Sequence, residues 1–99
     1  MTGDLAFLTD YVLNAVANDY ENLDQISIDA SRWAQEDNRT FSQEMLVRVI
    51  SGLVTDGLVN CYKFSPTLGT YKHCEFDAEI ASDLWYLITN AGKKHPAVN

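Results

Sequence analysis

The chain has few histidines, cysteines and prolines: two of each in 99 residues. Two cysteines cannot build the framework of several bridges that staples a small secreted domain. Cys61, His73 and Cys74 are the only clustered soft ligands. A structural zinc site wants four, and His73 and Cys74, adjacent in an extended segment, point to opposite faces. Two free thiols and no metal are therefore expected. No apolar run approaches the ~20 residues that a membrane-spanning helix needs. A Gly-rich phosphate loop, a nucleophile elbow and a paired His–carboxylate spacing are all missing, so neither catalysis nor a cofactor is expected. Residues Met1 to Tyr20 carry Asp4, Asp10 and Asp19 and no basic residue, unlike a signal or transit peptide. A reducing cytoplasm is the expected compartment.

Positive charge is also short. Seven Lys and Arg stand against fourteen Asp and Glu, for a net charge of −7. That balance excludes a generic nucleic-acid coat. The charge is uneven along the chain. Residues 1–38 hold eight acids (Asp4, Asp10, Asp19, Glu21, Asp24, Asp29, Glu36, Asp37) against Arg32 alone. Residues 39–74 hold Arg39, Arg48, Lys63 and Lys72 against Glu44 and Asp56, and are the only stretch with a positive balance. Residues 75–99 are acidic again. The hydrophobic share of 46% is that of an ordinary folded protein. A chain of this length makes one domain, here 1–99, with residues 95–99 expected to form a flexible tail.

The most informative stretch is Phe41 to Asn60. Ser42 stands where an N-cap belongs. Met45 or Leu46, Val49, Ile50 and Leu53 recur at three and four residues and share one helical face, opposite Gln43, Glu44, Arg48, Ser51 and Thr55. Gly57 is placed to stop the helix in a left-handed conformation. Leu58 and Val59 then begin an extended segment.

Before this helix, the stripe Leu5, Leu8, Val12, Ala15 and Val16 predicts a first helix over 4–19, with Phe7 and Tyr11 widening its apolar side. Ile26-Ser27-Ile28 fits either a short strand or the start of a second helix, which Ser27 or Asp29 would cap. Ile28, Ala30 or Ser31, and Ala34 are small enough for close packing, and Trp33 is expected to be half-buried with its N–H bonded. Glu36 to Thr40 holds no apolar residue and reads as a turn. After the central helix, Val59 to Phe64 is a strand with Tyr62 and Phe64 on one face and Cys61 and Lys63 on the other. Ser65 to Gly69 is a turn, and Thr70 to Phe76 the return strand. With Thr67 and Leu68 at the tip, Cys61 faces Cys74 and Lys63 faces Lys72. Asp77 to Asp83 is a linker or a short helical turn. Leu84 to Thr89, LWYLIT, reads as a buried strand.

The order carries more weight than any piece: two helices, a polar turn, a helix, Asp56-Gly57-Leu58-Val59, a hairpin, then Leu87-Ile88-Thr89-Asn90-Ala91-Gly92-Lys93. Over residues 5–94 this resembles the winged helix-turn-helix superfamily of small bacterial-type transcriptional regulators. The resemblance implies an α+β fold with a three-helix core, a β-hairpin wing and a further C-terminal strand. Leu84 lies far beyond Phe64, so an extra hairpin is expected in the wing.

The resemblance also implies a regulator that binds double-stranded DNA, with helix 42–55 in the major groove and hairpin 59–76 as wing. Arg48 would pair with guanine and Gln43 with adenine, and Glu44 would accept from cytosine. Ser51 would reach a phosphate. Thr40 and Ser42 lie at a helix N-terminus, which suits a phosphate. Arg39 would contact the backbone from the turn, and Lys63 and Lys72 from the wing. Many relatives of this type dimerise, which points to a homodimer through helix 4–19. A different class competes: an acidic interaction module without DNA binding, docking on a basic protein partner. The two differ in where the acids end up. Acids far from helix 42–55 leave DNA binding intact, and acids along its rim favour a protein partner.

Overall fold

Two helix stops of the same kind frame the centre of the chain. Helix α2 (Leu23–Glu36) ends on Asn38, whose φ is 54°, and helix α3 (Gln43–Thr55) on Gly57, at 75°. In each, the next two N–H groups fold back on the last turn. Arg39 N donates to Ala34 O at 2.7 Å, and Leu58 N to Leu53 O at 2.9 Å. This is the Schellman arrangement, which satisfies carbonyls that a helix end leaves open. Ser42 caps α3 as its sequence predicts, accepting from Met45 N at 3.1 Å.

The structure, a computed structural model, describes residues 2–98. Helix α1 (Thr2–Ala15) leads, followed by strand β1 (Glu21–Asn22), then α2 and α3. Strands β2 (Val59–Ser65) and β3 (Thr70–Cys74) form a hairpin, a 3-10 segment spans Ala78–Asp83, and strand β4 (Trp85–Ile88) and the short helix α4 (Asn90–Lys93) close the chain. The fold is α+β with one antiparallel four-stranded sheet in the order β1-β4-β2-β3. The hairpin register pairs Cys61 with Cys74 and Lys63 with Lys72, as expected. Among the described residues no helix is long and apolar enough to cross a membrane.

Several elements differ from the sequence reading. Helix α1 stops at Ala15 rather than Asp19 because the Val16 carbonyl turns to the sheet and accepts from Ile88 N at 3.0 Å. Ile26 to Ile28 is helix. The first strand is Glu21–Asn22, and Asn22 caps α2 by accepting from Gln25 N at 2.8 Å. That earlier start puts Leu23, Ile26, Ala30 and Ala34 inward and leaves Ile28 exposed. Strand β3 ends at Cys74, short of Phe76. Strand β4 alternates: Tyr86 and Ile88 are buried while Trp85 and Leu87 are half-buried, because only one face of the sheet meets the helices.

The core lies between that sheet face and the three helices. Leu8, Val12 and Leu13 of α1 meet Ile26 of α2, Leu46 and Ile50 of α3, and Val59 and Tyr86 of the sheet. On the outer sheet face Tyr62, Phe64, Tyr71 and Trp85 form one aromatic cluster, and Tyr20 stacks on Tyr71 at 3.8 Å. The two motifs that open and close the hairpin region meet in space. Thr89 donates from its hydroxyl to Gly57 O at 2.6 Å, and its N–H to Leu58 O at 3.0 Å. The same hydroxyl caps α4 by accepting from Gly92 N at 3.0 Å. Of the tail expected to be flexible, residues 95–98 lie against the body of the protein: Asn14 Nδ2 donates to Ala97 O at 2.8 Å, and Val98 touches the core. Asn99 lies outside the described residues.

Candidate functional site

Helix α3 buries Leu46, Val49, Ile50 and Leu53, so its opposite ridge is Glu44, Arg48, Ser51 and Thr55. Arg48 and Glu44 lie one turn apart and pair at 3.6 Å, both largely exposed. A surface pair of this kind contributes about 0.3–0.5 kcal/mol, and its main effect here is electrostatic. The ridge's one cation has a carboxylate beside it, so the ridge carries no net charge.

The flanks of the ridge are acidic. On one side the 3-10 segment packs against α2 and α3, and Ala78 lines a groove with Gln43, Glu44, Val47, Arg48 and Ser51. Asp77 and Glu79 bracket Ala78, and both are exposed. Asp77 accepts from Glu79 N at 3.0 Å, which caps the segment and fixes its start. Further along, Glu75 and Phe76 line a groove with Ser51, Val54 and Thr55. On the other side Asp56 lines a groove with Leu5, Thr9, Arg48 and Gly52.

The remaining predicted residues scatter. Gln43 accepts from the Ser27 hydroxyl at 2.6 Å, which ties α2 to the start of α3. The Ser42 oxygen is committed to its cap. Thr40 is exposed in the turn. Arg39 turns toward α1: its Nε donates to Asp37 Oδ2 at 2.8 Å, and its guanidinium lies 4.7 Å from the centre of the Phe7 ring. Lys63 and Lys72 are exposed and directly opposite on the hairpin, on the sheet face that holds Cys61 and Cys74. Like charges so placed repel, which favours an anionic neighbour. Both cysteines are free thiols. Burial, reinforced by Cys74, pushes the Cys61 thiol from 9.0 up to about 11. His73 stacks edge-on against Tyr62 on the opposite face.

Sequence reasoning missed two groups. Glu75 read as part of the return strand and Asp77 to Asp83 as a linker or a short helical turn, and no spacing rule ties Glu75 or Asp77 to a helix that ends at Thr55. The second group is aromatic. Trp33 is half-buried as expected, but the open aromatic seam that it forms with α1 was not foreseen. Trp33 is 52% exposed, stacked on Phe7 at 5.5 Å and tilted against Tyr11 at 5.1 Å. Its place on α2 is one position away from the inward row, which leaves it beside α1 and not beneath it. The excess of aromatics on one side of α1 was the available signal.

No family model, curated protein or solved structure matches the chain.

Proposed function

We propose that the chain is a winged-helix-type interaction module that docks on a basic protein partner. The order of α1, β1, α2, α3 and the β2–β3 hairpin supports the winged-helix part of the reading, together with the polar turn between α2 and α3. The observation that carries the functional part is the charge around α3. Its ridge pairs Arg48 with Glu44, and carboxylates line or border the grooves on both flanks. A DNA backbone brought to that ridge would meet Glu75 and Asp56 where a reader of DNA places lysine and arginine. A basic protein surface meets the same groups with attraction. The charge also weighs against two copies pairing through the aromatic side of α1, because each would bring Asp10 and Glu36 against the other's.

DNA binding is the second reading. It is favoured by Lys63 and Lys72, which stand together on the helix side of the hairpin. Fluorescence anisotropy separates the two, using a labelled mixed-sequence duplex and a labelled lysine-rich peptide, each at ~50 and ~200 mM salt. The expected result is peptide binding that weakens with salt and no duplex binding at micromolar protein. Duplex binding that falls steeply with salt and is lost in the Arg48→Ala, Lys63→Ala double variant would establish the DNA reading. Failure of the peptide to bind at the lower salt would overturn the basic-partner reading.

A further inference from the structure

We infer that the basic partner seats a lysine or arginine side chain on the aromatic seam between α1 and α2, with Trp33 as the floor of the site. The inference rests on the basic-partner reading and adds to it a second contact, apart from the α3 ridge, and the group recognised there.

Trp33 is a large ring half out in solvent, held in position by Phe7 and Tyr11. A cleft opens on each side of it. One is lined by Phe7, Trp33, Glu36 and Asp37, and the other by Asp10, Tyr11, Asn14, Ala15 and Trp33. Each cleft therefore joins an aromatic wall to a carboxylate. A ring face attracts a cation through its quadrupole, and a nearby carboxylate adds direct charge attraction. The chain already holds one cation in this manner. Arg39 lies over Phe7 while its Nε holds Asp37, so the seam receives a guanidinium with a ring on one side and a carboxylate on the other.

Charge selects the occupant. An apolar partner would strip water from Asp10 and Glu36 and give them nothing in return. A second copy would set these acids against their own equivalents. Burial, with Asp29 and Glu21 adding to it, holds the Tyr11 hydroxyl above its usual range, and Arg32 offsets part of this. A positively charged side chain on an extended or helical basic segment complements the carboxylates among these groups.

The test is anisotropy titration of a labelled peptide of roughly ten residues, alternating arginine and glycine, at ~50 mM salt. Trp33→Leu keeps an apolar side chain but removes the ring face, and is expected to weaken binding ~10-fold. Trp33→Phe keeps a ring and is expected to stay within ~3-fold of the wild type. Asp10→Asn with Glu36→Gln changes exposed surface alone and is expected to weaken binding ~5-fold, independently of any packing change at Trp33. Binding that is unchanged in all three variants would overturn the site and leave the basic-partner reading standing. No binding by the wild type would overturn both. Sedimentation would overturn the assignment in another way if it showed a wild-type dimer that Trp33→Leu dissolves, because a second copy would then cover the seam.

Discussion

Gly92→Ala should destabilise the protein, although helix propensity alone gives the opposite sign. Gly92 lies in α4, where alanine would gain about 1 kcal/mol over glycine. A Cβ built at Gly92, however, runs into the Leu58 carbonyl oxygen and the Ile88 side chain. The Leu58 oxygen cannot step aside freely, because it accepts from Thr89 N at 3.0 Å. Overpacking of this kind costs about 1–3 kcal/mol, and losing that hydrogen bond about 1 more. The balance is a net loss of about 2 kcal/mol, which at this chain length lowers Tm by roughly 8–16 °C. Gly52→Ala is the matched control. Gly52 is exposed in α3 with nothing within 4 Å of an added Cβ, so alanine there should stabilise by up to about 1 kcal/mol. Thermal and urea unfolding followed by far-ultraviolet circular dichroism would measure both variants. A Gly92→Ala protein as stable as the wild type would refute the close approach of α4 to the end of α3.

Cys61 is 1% exposed and Cys74 half-buried, so a thiol reagent at neutral pH should modify Cys74 first and reach Cys61 only on unfolding. Because the folded state holds the Cys61 thiol at about 11 against 9.0 when unfolded, stability should be intact below pH 9.0 and fall as pH rises toward 11. The loss is on the order of 2–3 kcal/mol, and Cys61→Ala should flatten that part of the pH profile in denaturant titrations. Tyr86 is fully buried and donates to Ala81 O at 2.7 Å, while Leu84 N also donates to that carbonyl at 3.3 Å. Tyr86→Phe should therefore cost only about 1 kcal/mol by urea unfolding, and a loss several times larger would mean that the hydroxyl holds more than that one contact.

The readable parts of the chain were those governed by neighbours in sequence. Helix α3 was legible end to end because Ser42, the row Leu46-Val49-Ile50-Leu53 and Gly57 each act within a turn or two. The hairpin register was legible because Pro66 to Gly69 fixes the tip, and antiparallel pairing counts outward from it. Thr89 and Gly92 were noticed as a pattern, but their purpose was not. Only the fold brings Thr89 to Gly57 and Gly92 against Leu58. The candidate site divides the same way. The ridge of α3 could be named from periodicity, while its acidic flank depends on where the 3-10 segment comes to rest.

The sequence by itself determined the α+β composition, the central helix with its caps, the hairpin pairing and the acidic first third of the chain. These follow from side-chain period, turn chemistry and charge counting, all of which act locally. Tertiary structure decided where α1 stops, because a strand far along the chain claimed the Val16 carbonyl. It decided that β4 lies inside the sheet between β1 and β2, because that position satisfies both of its hydrogen-bonding edges. It also decided the electrostatic character of α3, because Glu75 and the 3-10 segment, whose Ala78 is bracketed by Asp77 and Glu79, come to the helix through space and not through sequence, and Coulomb attraction depends on the distance between groups and not on their separation along the chain.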